Sequence, residues 1–577
     1  MQKTNTGVLR RLLGYLRPHW HTLVLALVLV LAVTGANLLR PVLIGSAMDA
    51  VIEGGSFSPV LRNGLLYIGV LLVGVGCNML QTWLLQKMGQ SIIFRIREEL
   101  FAHVHRLSLR FFDITPVGRI VTRITNDVET LNELFSTVLV NMVKNVVMIL
   151  GLAAVMLAME WRVALLSFAL LPLVVVLTRL FTRLYRTTHR ITRTKVSALN
   201  TYLSEHLSGM RLIQMFHRER EKQAEFSQRS EDLFRSNYRE IVVYGTFQPI
   251  IHWMSTLSLA LVLALGGWFV MGGTLSIGTL YIFSSYIRSF YEPIQSLSDQ
   301  FGTLQSALAA GEKIFTLFDE QPQVRPPEQP SPLPAPKGRI VFDHVWFAYE
   351  GEDWVLRDVS FVIEPGQTVA FVGATGAGKT SILNLIGRYY DVQKGRITVD
   401  GVDIRELDLG DLRRAIGQVQ QDVFLFTGDI RGNIRLRDED ITDREVEEAA
   451  RFVNADGFIR RLEQGYEQAV TERGSTLSAG QRQLLSFART LAHDPAVLVM
   501  DEATANIDTG TELLIQEALG RLMEGRTCIV VAHRLSTIQH ADCIMVMHKG
   551  RLREQGTHQE LLAQGGIYKK LYDLQLV

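Results

Sequence analysis

Apolar residues are unevenly spread along this chain. They crowd residues 1–300, whereas residues 339–577 alternate apolar and polar positions as an ordinary water-soluble domain does. The stretch from Ile241 to Ile287 contains no Asp, Glu, Lys or Arg. A membrane-spanning helix needs about 20 mostly apolar residues, so this stretch predicts two spans. The turn Met271-Gly-Gly-Thr-Leu-Ser-Ile-Gly278 separates them. With the earlier apolar runs, the pattern predicts six spans, near 20–48, 60–86, 134–159, 161–182, 247–271 and 275–297. Residues 87–130 and 179–240 keep a helical period but are rich in Lys and Arg, so the helices are expected to continue beyond the bilayer. Arg40-Pro41 interrupts the first span and Lys144 the third. Charges at that depth are expected to face a protein interior or a water-filled cavity.

Charge placement sets the topology. Arg10, Arg11 and Arg17 precede the first span, while residues 49–59 and 271–278 hold no Lys or Arg. Basic residues collect on the cytoplasmic side. The expectation is a multi-pass protein of the cytoplasmic membrane, with both termini and the soluble domain in the cytoplasm and no cleavable signal. A hydrophobic content of 47% in 577 residues fits a membrane domain joined to a soluble one. The net charge of +1 gives no reason to expect a nucleic-acid partner. Cys77, Cys528 and Cys543 show no metal-ligand spacing and are expected to be small core residues. Between Glu320 and Gly338 lie seven of the sixteen prolines, which predicts a stiff extended linker. The expected domains are 1–318 in the membrane, 319–338 as linker and 339–577 as the soluble domain.

The soluble part carries the chemistry. The strand pattern Thr368-Val-Ala-Phe-Val372 runs into Gly373-Ala374-Thr375-Gly376-Ala377-Gly378-Lys379-Thr380, followed by Ser381. This is the spacing of a phosphate-binding loop. Its glycines let backbone N–H groups wrap phosphates, Lys379 supplies positive charge, Thr380 is placed to ligate Mg²⁺, and the next helix aims its N-terminus at the anion. A second buried-strand pattern, Ala496-Val-Leu-Val-Met500, ends in Asp501-Glu502. Asp501 can hold Mg²⁺ through water, and Glu502 can polarise an attacking water.

Between and beyond these motifs the sequence resembles the ABC transporter ATPase family. The signature appears as Leu477-Ser478-Ala479-Gly480-Gln481. Gln421 matches the Q-loop, Asp508 the D-loop, His533 the switch histidine and Tyr349 the aromatic that stacks on adenine. The membrane half is similar to the exporter class, whose two cytoplasmic docking regions resemble Phe111–Asp127 and Gly209–Glu219. The fold class implied is an α-helical transmembrane domain of six long helices plus an α/β P-loop ATPase domain with a helical subdomain. The resemblance implies that Lys379, Thr380, Asp501 and Gln421 hold ATP and Mg²⁺, with Glu502 as general base and His533 on the γ-phosphate. It also implies that Ser478, Ala479, Gly480, Gln481 and Asp508 serve an ATP bound to another chain, so a second half-exporter is required.

The family has Gly where this chain has Ala479. A Cβ there is expected to crowd the neighbouring ATP or to disfavour a positive φ. An altered signature beside an intact Glu502 resembles one subunit of bacterial heterodimeric multidrug exporters, whose partner has the reverse pattern. A homodimer that tolerates Ala479 is the alternative. The implied function is ATP-driven export of amphipathic small molecules; a lipid flippase and an ATP-gated channel or regulatory subunit are the competing readings. Lys144, His252 and Arg288 are the candidate polar groups of a substrate cavity. The absence of a peptidase domain before the first span disfavours a leader-processing peptide exporter.

Overall fold

A computed structural model of the chain describes residues 2–52, 57–333, 335–436, 438–501, 509–531 and 538–575. Two compact units result. One takes the described residues of 1–105 and 116–320; the other takes 106–115 and the described residues of 321–577.

The first unit is helical. A short helix α1 (Gln2–Gly14) precedes α2 (Trp20–Ile52) and α3 (Phe57–Val104). The segment α4 (Leu109–Ile114) belongs to the other unit. Then come α5 (Val117–Met159), α6 (Trp161–Ser208), the short α7 (Met210–Met215), α8 (Glu219–Met271) and α9 (Ile277–Asp319). A 48-residue helix such as α3 is about 70 Å long at 1.5 Å per residue. That exceeds the hydrocarbon core of a bilayer, about 30 Å. The charged segments are therefore continuations of the apolar helices. Of the six long helices, α2, α3, α5, α6 and α8 are long and apolar enough to cross a membrane. The sixth, α9, falls short of that apolarity, and its Ile282, Phe283, Tyr286, Ile287 and Phe290 are buried. The unit is apolar outside as well as inside, with Leu72, Met79, Val176 and Trp268 among its exposed side chains.

Close helix contacts depend on small residues. Gly45 of α2 meets Gly278 of α9 so closely that a Cβ on Gly45 would lie 2.7 Å from the Gly278 carbonyl. The Asp49 carboxylate accepts from the Gly278 N–H and from the Ser276 hydroxyl, each at 2.7 Å, and so caps α9. Proline lies inside α2, α8 and α9 (Pro41, Pro249, Pro293), where long helices packed on neighbours tolerate it.

The second unit begins with an antiparallel sheet of β1 (Ile340–Ala348), β2 (Trp354–Ile363), β4 (Lys394–Val399) and β5 (Val402–Asp403), in the order β2-β1-β4-β5. Behind it lies a six-stranded sheet. Its members are β3 (Thr368–Val372), β6 (Ile416–Val419), β9 (Val497–Asp501), β10 (Thr527–Val531), β11 (Cys543–His548) and β12 (Arg551–Gly556). The order is β12-β11-β3-β10-β9-β6, parallel except for the edge strand β12. The central strands are apolar at nearly every position, as strands covered on both faces must be. After β3 comes α10 (Lys379–Ile386). Between β6 and β9 the chain leaves the sheet to build the short antiparallel pair β7 (Gly428–Asp429) and β8 (Ala469–Val470) and a helical subdomain from α11 (Ile430–Arg435), α12 (Asp443–Phe452) and α13 (Ala479–Ala492). Cys528 and Cys543 are buried, and burial pushes the Cys528 thiol up to about 12.

Candidate nucleotide site

Parallel pairing brings the chemistry to one edge of the large sheet. Val531 of β10 stands opposite Phe371 of β3 on one side and Asp501 of β9 on the other. Val419 of β6 pairs with Met500. The loops that leave β3, β9 and β6 therefore start side by side. They carry Gly373, Asp501 and Gln421. In open parallel sheets ligands bind at these carboxyl ends.

The loop after β3 needs its glycines. Gly373, Gly376 and Gly378 have φ of 150°, 79° and 100°. A Cβ on Gly373 would run into the Met547 carbonyl, and one on Gly378 would lie 2.6 Å from the Leu356 side chain. Ala374 and Thr375 are exposed, whereas Ala377 is packed inside. Lys379 opens α10 and is only 6% exposed. Its ammonium donates to the carbonyls of Gly373 at 2.6 Å and Ala374 at 3.2 Å. Burial lowers its pKa and the Asp501 carboxylate acts against that shift. The Thr380 hydroxyl donates to Asp501 Oδ2 at 3.3 Å. Two hard oxygens are thus already together, as Mg²⁺ requires of a site that adds one or two protein ligands to phosphate oxygens. The N-terminus of α10 and the loop N–H groups fit a phosphate chain. Ser381 shares a 3.0 Å hydrogen bond with the Tyr349 hydroxyl, which places Tyr349 at the first turn of α10. Its ring packs edge-on against Tyr390, 5.1 Å between centroids. Gln421 is exposed, two residues past the end of β6.

The signature opens α13. Ser478 is its N-cap: its hydroxyl accepts from the Gln481 N–H at 3.2 Å, while the Gln481 side chain accepts from the Ser478 N–H at 2.9 Å. This reciprocal pair is a capping box. Ala479 is the first helical residue, exposed, and Gly480 is buried behind it. The expectation that Ala479 disfavours a positive φ is corrected here. Ala479 is not among the residues with positive φ, because a first helical position is right-handed and accepts any side chain. Crowding of a neighbouring ligand is the physical effect left to its methyl group.

Glu502, Asp508 and His533 lie outside the described residues; each follows a described strand, Glu502 directly after Asp501 and His533 two residues after Val531.

Some residues escaped sequence reasoning. Buried Asn433 accepts from the Phe426 N–H and donates to the carbonyls of Phe426 and Asp429. Arg489 of α13 donates to the carbonyls of Asn433 at 2.9 Å and Phe424 at 3.0 Å. Together they fasten the segment after Gln421 to the signature helix. The one available signal was the charge of Arg489 directly after the mostly apolar run Leu484–Ala488. Asp113 of α4 lies in the first docking region expected from the sequence and accepts a hydrogen bond from the Tyr390 hydroxyl, while Arg110 donates to Gln323 at 3.2 Å. Burial, then Asp113, pushes the Tyr390 phenol up. So α4, although it lies between two membrane helices in sequence, is packed with the ATPase unit.

Of the three candidate cavity groups, Lys144 lines a cavity among α2, α3, α5 and α9. His252 and Arg288 are exposed on their helices, and neither lines that cavity.

Comparison with known proteins agrees with this geometry. Residues 23–294 match the family described as the ABC transporter transmembrane region, and residues 356–505 match the ABC transporter family. A Bacillus subtilis ABC transporter whose name places it in multidrug resistance is 38% identical, with 88% of this chain and 76% of that protein covered. An ATP-dependent lipid A-core flippase of Syntrophus aciditrophicus is 34% identical, with 98% and 94% covered. The solved structure of a bacterial Atm1-family ABC exporter with ATP bound superposes with a TM-score of 0.80 at 29% identity, over 97% of this chain and 99% of that one.

Proposed function

Because this chain belongs to the ABC transporter family, as a half-size exporter whose ATPase drives transport, we propose that it exports amphipathic small molecules across the cytoplasmic membrane by alternating access, as the catalytic-glutamate half of a heterodimer. Half-size exporters act as dimers in a bilayer, and the chemistry here explains why. The phosphate loop and the signature are separate surfaces of one ATPase unit, and each needs a complement. ATP held by Lys379, Thr380 and the loop of one chain is completed by Ser478, Gly480 and the α13 N-terminus of another.

The roles are assigned from the motifs. Tyr349 stacks the base, Lys379 leaves its own loop carbonyls to pair with the phosphates, and Gln421 reaches toward the metal and water. Thr380 and Asp501 would hold Mg²⁺, which neutralises phosphate charge. Glu502 takes the proton of the attacking water, and His533 contacts the γ-phosphate. Asp508, Ala479 and Gln481 are assigned to the partner's nucleotide. The six long helices, with the last placed near 275–297, form the membrane domain, and the Lys/Arg bias puts the ATPase unit in the cytoplasm. The packing of α4 with the ATPase unit supports a mechanical link by which closure of the nucleotide sites reorients the membrane helices.

The observation that carries the heterodimer is Ala479. Its backbone is ordinary helix, so the exposed methyl acts only on what faces it, the partner's ATP. The test is ATPase activity of the chain purified alone in lipid. Weak turnover that rises on adding a second half-exporter with an unaltered signature is expected. Strong drug-stimulated turnover by the chain alone would show a homodimer instead.

A further inference from the structure

The cavity of the membrane unit among α2, α3, α5 and α9 has a volume of about 540 Å³. Arg40, Lys144 and Glu292 line it together with Ile44, Met148 and Asn141. Arg40 is half-buried and its Nε, closed off from solvent, has no hydrogen-bond partner. The guanidinium lies over Gly74, where a Cβ would come within 3.2 Å of Nη2. A larger residue at position 74 would push this group out of the place it now holds. Among the described residues, no carboxylate forms an ion pair with Arg40 or Lys144, and Glu292 pairs with neither.

Two cations against one carboxylate leave the cavity one positive charge in excess. A lone Lys or Arg near the middle of a membrane helix is costly. Partners removed from water normally accompany such groups. Here the fold holds both cations toward one cavity and supplies neither with a partner, while Ile44 and Met148 give the same cavity an apolar wall. We propose that this cavity binds the acidic head of an amphiphile, a singly charged carboxylate or phosphodiester attached to an apolar body, and that Arg40 and Lys144 select it. Glu292 limits the site to one net negative charge. The inference rests on the exporter reading and narrows its substrate to anionic amphiphiles.

The test is direct binding, which does not require turnover. The full chain, with its partner chain where one is needed, is placed in nanodiscs of zwitterionic phosphatidylcholine. It is titrated with a dansyl-labelled fatty acid and with the matching dansyl-labelled fatty amine. Wild type should prefer the acid by at least about tenfold, the ratio one charge-assisted contact supports. Lys144→Gln should remove most of that preference, whereas Lys144→Arg should keep it. Glu292→Gln should tighten the acid. Arg40→Gln repeats the test from the other cation, with thermal unfolding in parallel because Arg40 is packed.

Equal affinity of wild type for acid and amine, or unchanged acid affinity in a folded Lys144→Gln, overturns the proposal. Displacement of the probe by phosphatidylglycerol assigns the head to a lipid phosphodiester; displacement by free fatty acid alone assigns it to a carboxylate. Acid binding without any ATP-dependent transport would overturn the exporter reading and leave this site standing. Transport of cationic dyes with no preference for the acid would do the reverse.

Discussion

Lys379 is buried and Lys144 half-buried in a cavity wall, and the chain treats them differently. Lys379 is nearly buried, yet two carbonyls of its own loop receive its protons. Lys144 shares a cavity with Arg40, and among the described residues neither has an acidic partner. The first cation sits in a site made by a few consecutive residues, with partners fixed by local backbone geometry. The second sits in a site made by four helices distant in sequence, with contents decided by how they pack. A motif-built site carries its own counter-groups; a packing-built site can leave charges open for a ligand.

The strongest way to break this comparison is at the motif-built site. Glu502→Gln should lower ATP hydrolysis by at least about a hundredfold, the usual contribution of a general base, with ATP still bound. Near-normal phosphate release would remove Glu502 from its assigned role. Lys379→Gln should weaken ATP binding by about tenfold or more, since charge-assisted hydrogen bonds are lost. A fluorescent-nucleotide titration measures this, and unchanged affinity would mean that the ammonium never leaves its loop carbonyls.

The packing-built region is probed by Gly45→Ala. Its Cβ would meet backbone at 2.7 Å, so a loss of about 1–3 kcal/mol is expected from overpacking. Thermal unfolding of the membrane unit should show it, while nucleotide affinity stays within about twofold, because distant sites behave independently. The smallest effect is expected at Tyr390→Phe. It keeps the ring and removes the hydrogen bond to Asp113, worth about 1 kcal/mol. Substrate moved per ATP hydrolysed should fall while ATPase stays close to wild type. An unchanged ratio would leave α4 as packing rather than as a mechanical link.

Legibility in the sequence followed the same division. The long helices were readable from hydropathy, and their extension beyond the bilayer from helical periodicity in the charged segments. Gly373–Thr380 and Asp501 were readable because each is a local pattern with a local cause. The signature was readable as letters, yet its conformation was not: a positive φ looked possible at Ala479 until the capping box of Ser478 and Gln481 placed it in a helix. Asn433 and Arg489 carry no pattern, since their partners are backbone carbonyls chosen by tertiary approach. Lys144, His252 and Arg288 looked alike in the sequence. Only packing put Lys144 into a cavity, brought Arg40 beside it and left the other two exposed.

By itself, the sequence determined the division into a membrane part and an ATPase part, and the residues that make up the phosphate loop and its acidic strand end. These depend on hydrophobic period and on backbone conformations that neighbouring residues dictate. The tertiary structure alone decided the alignment of β3, β10, β9 and β6 and the meeting of Arg40 and Lys144 at one cavity. Those depend on contacts between residues far apart in the chain, whose side-chain directions no local pattern encodes.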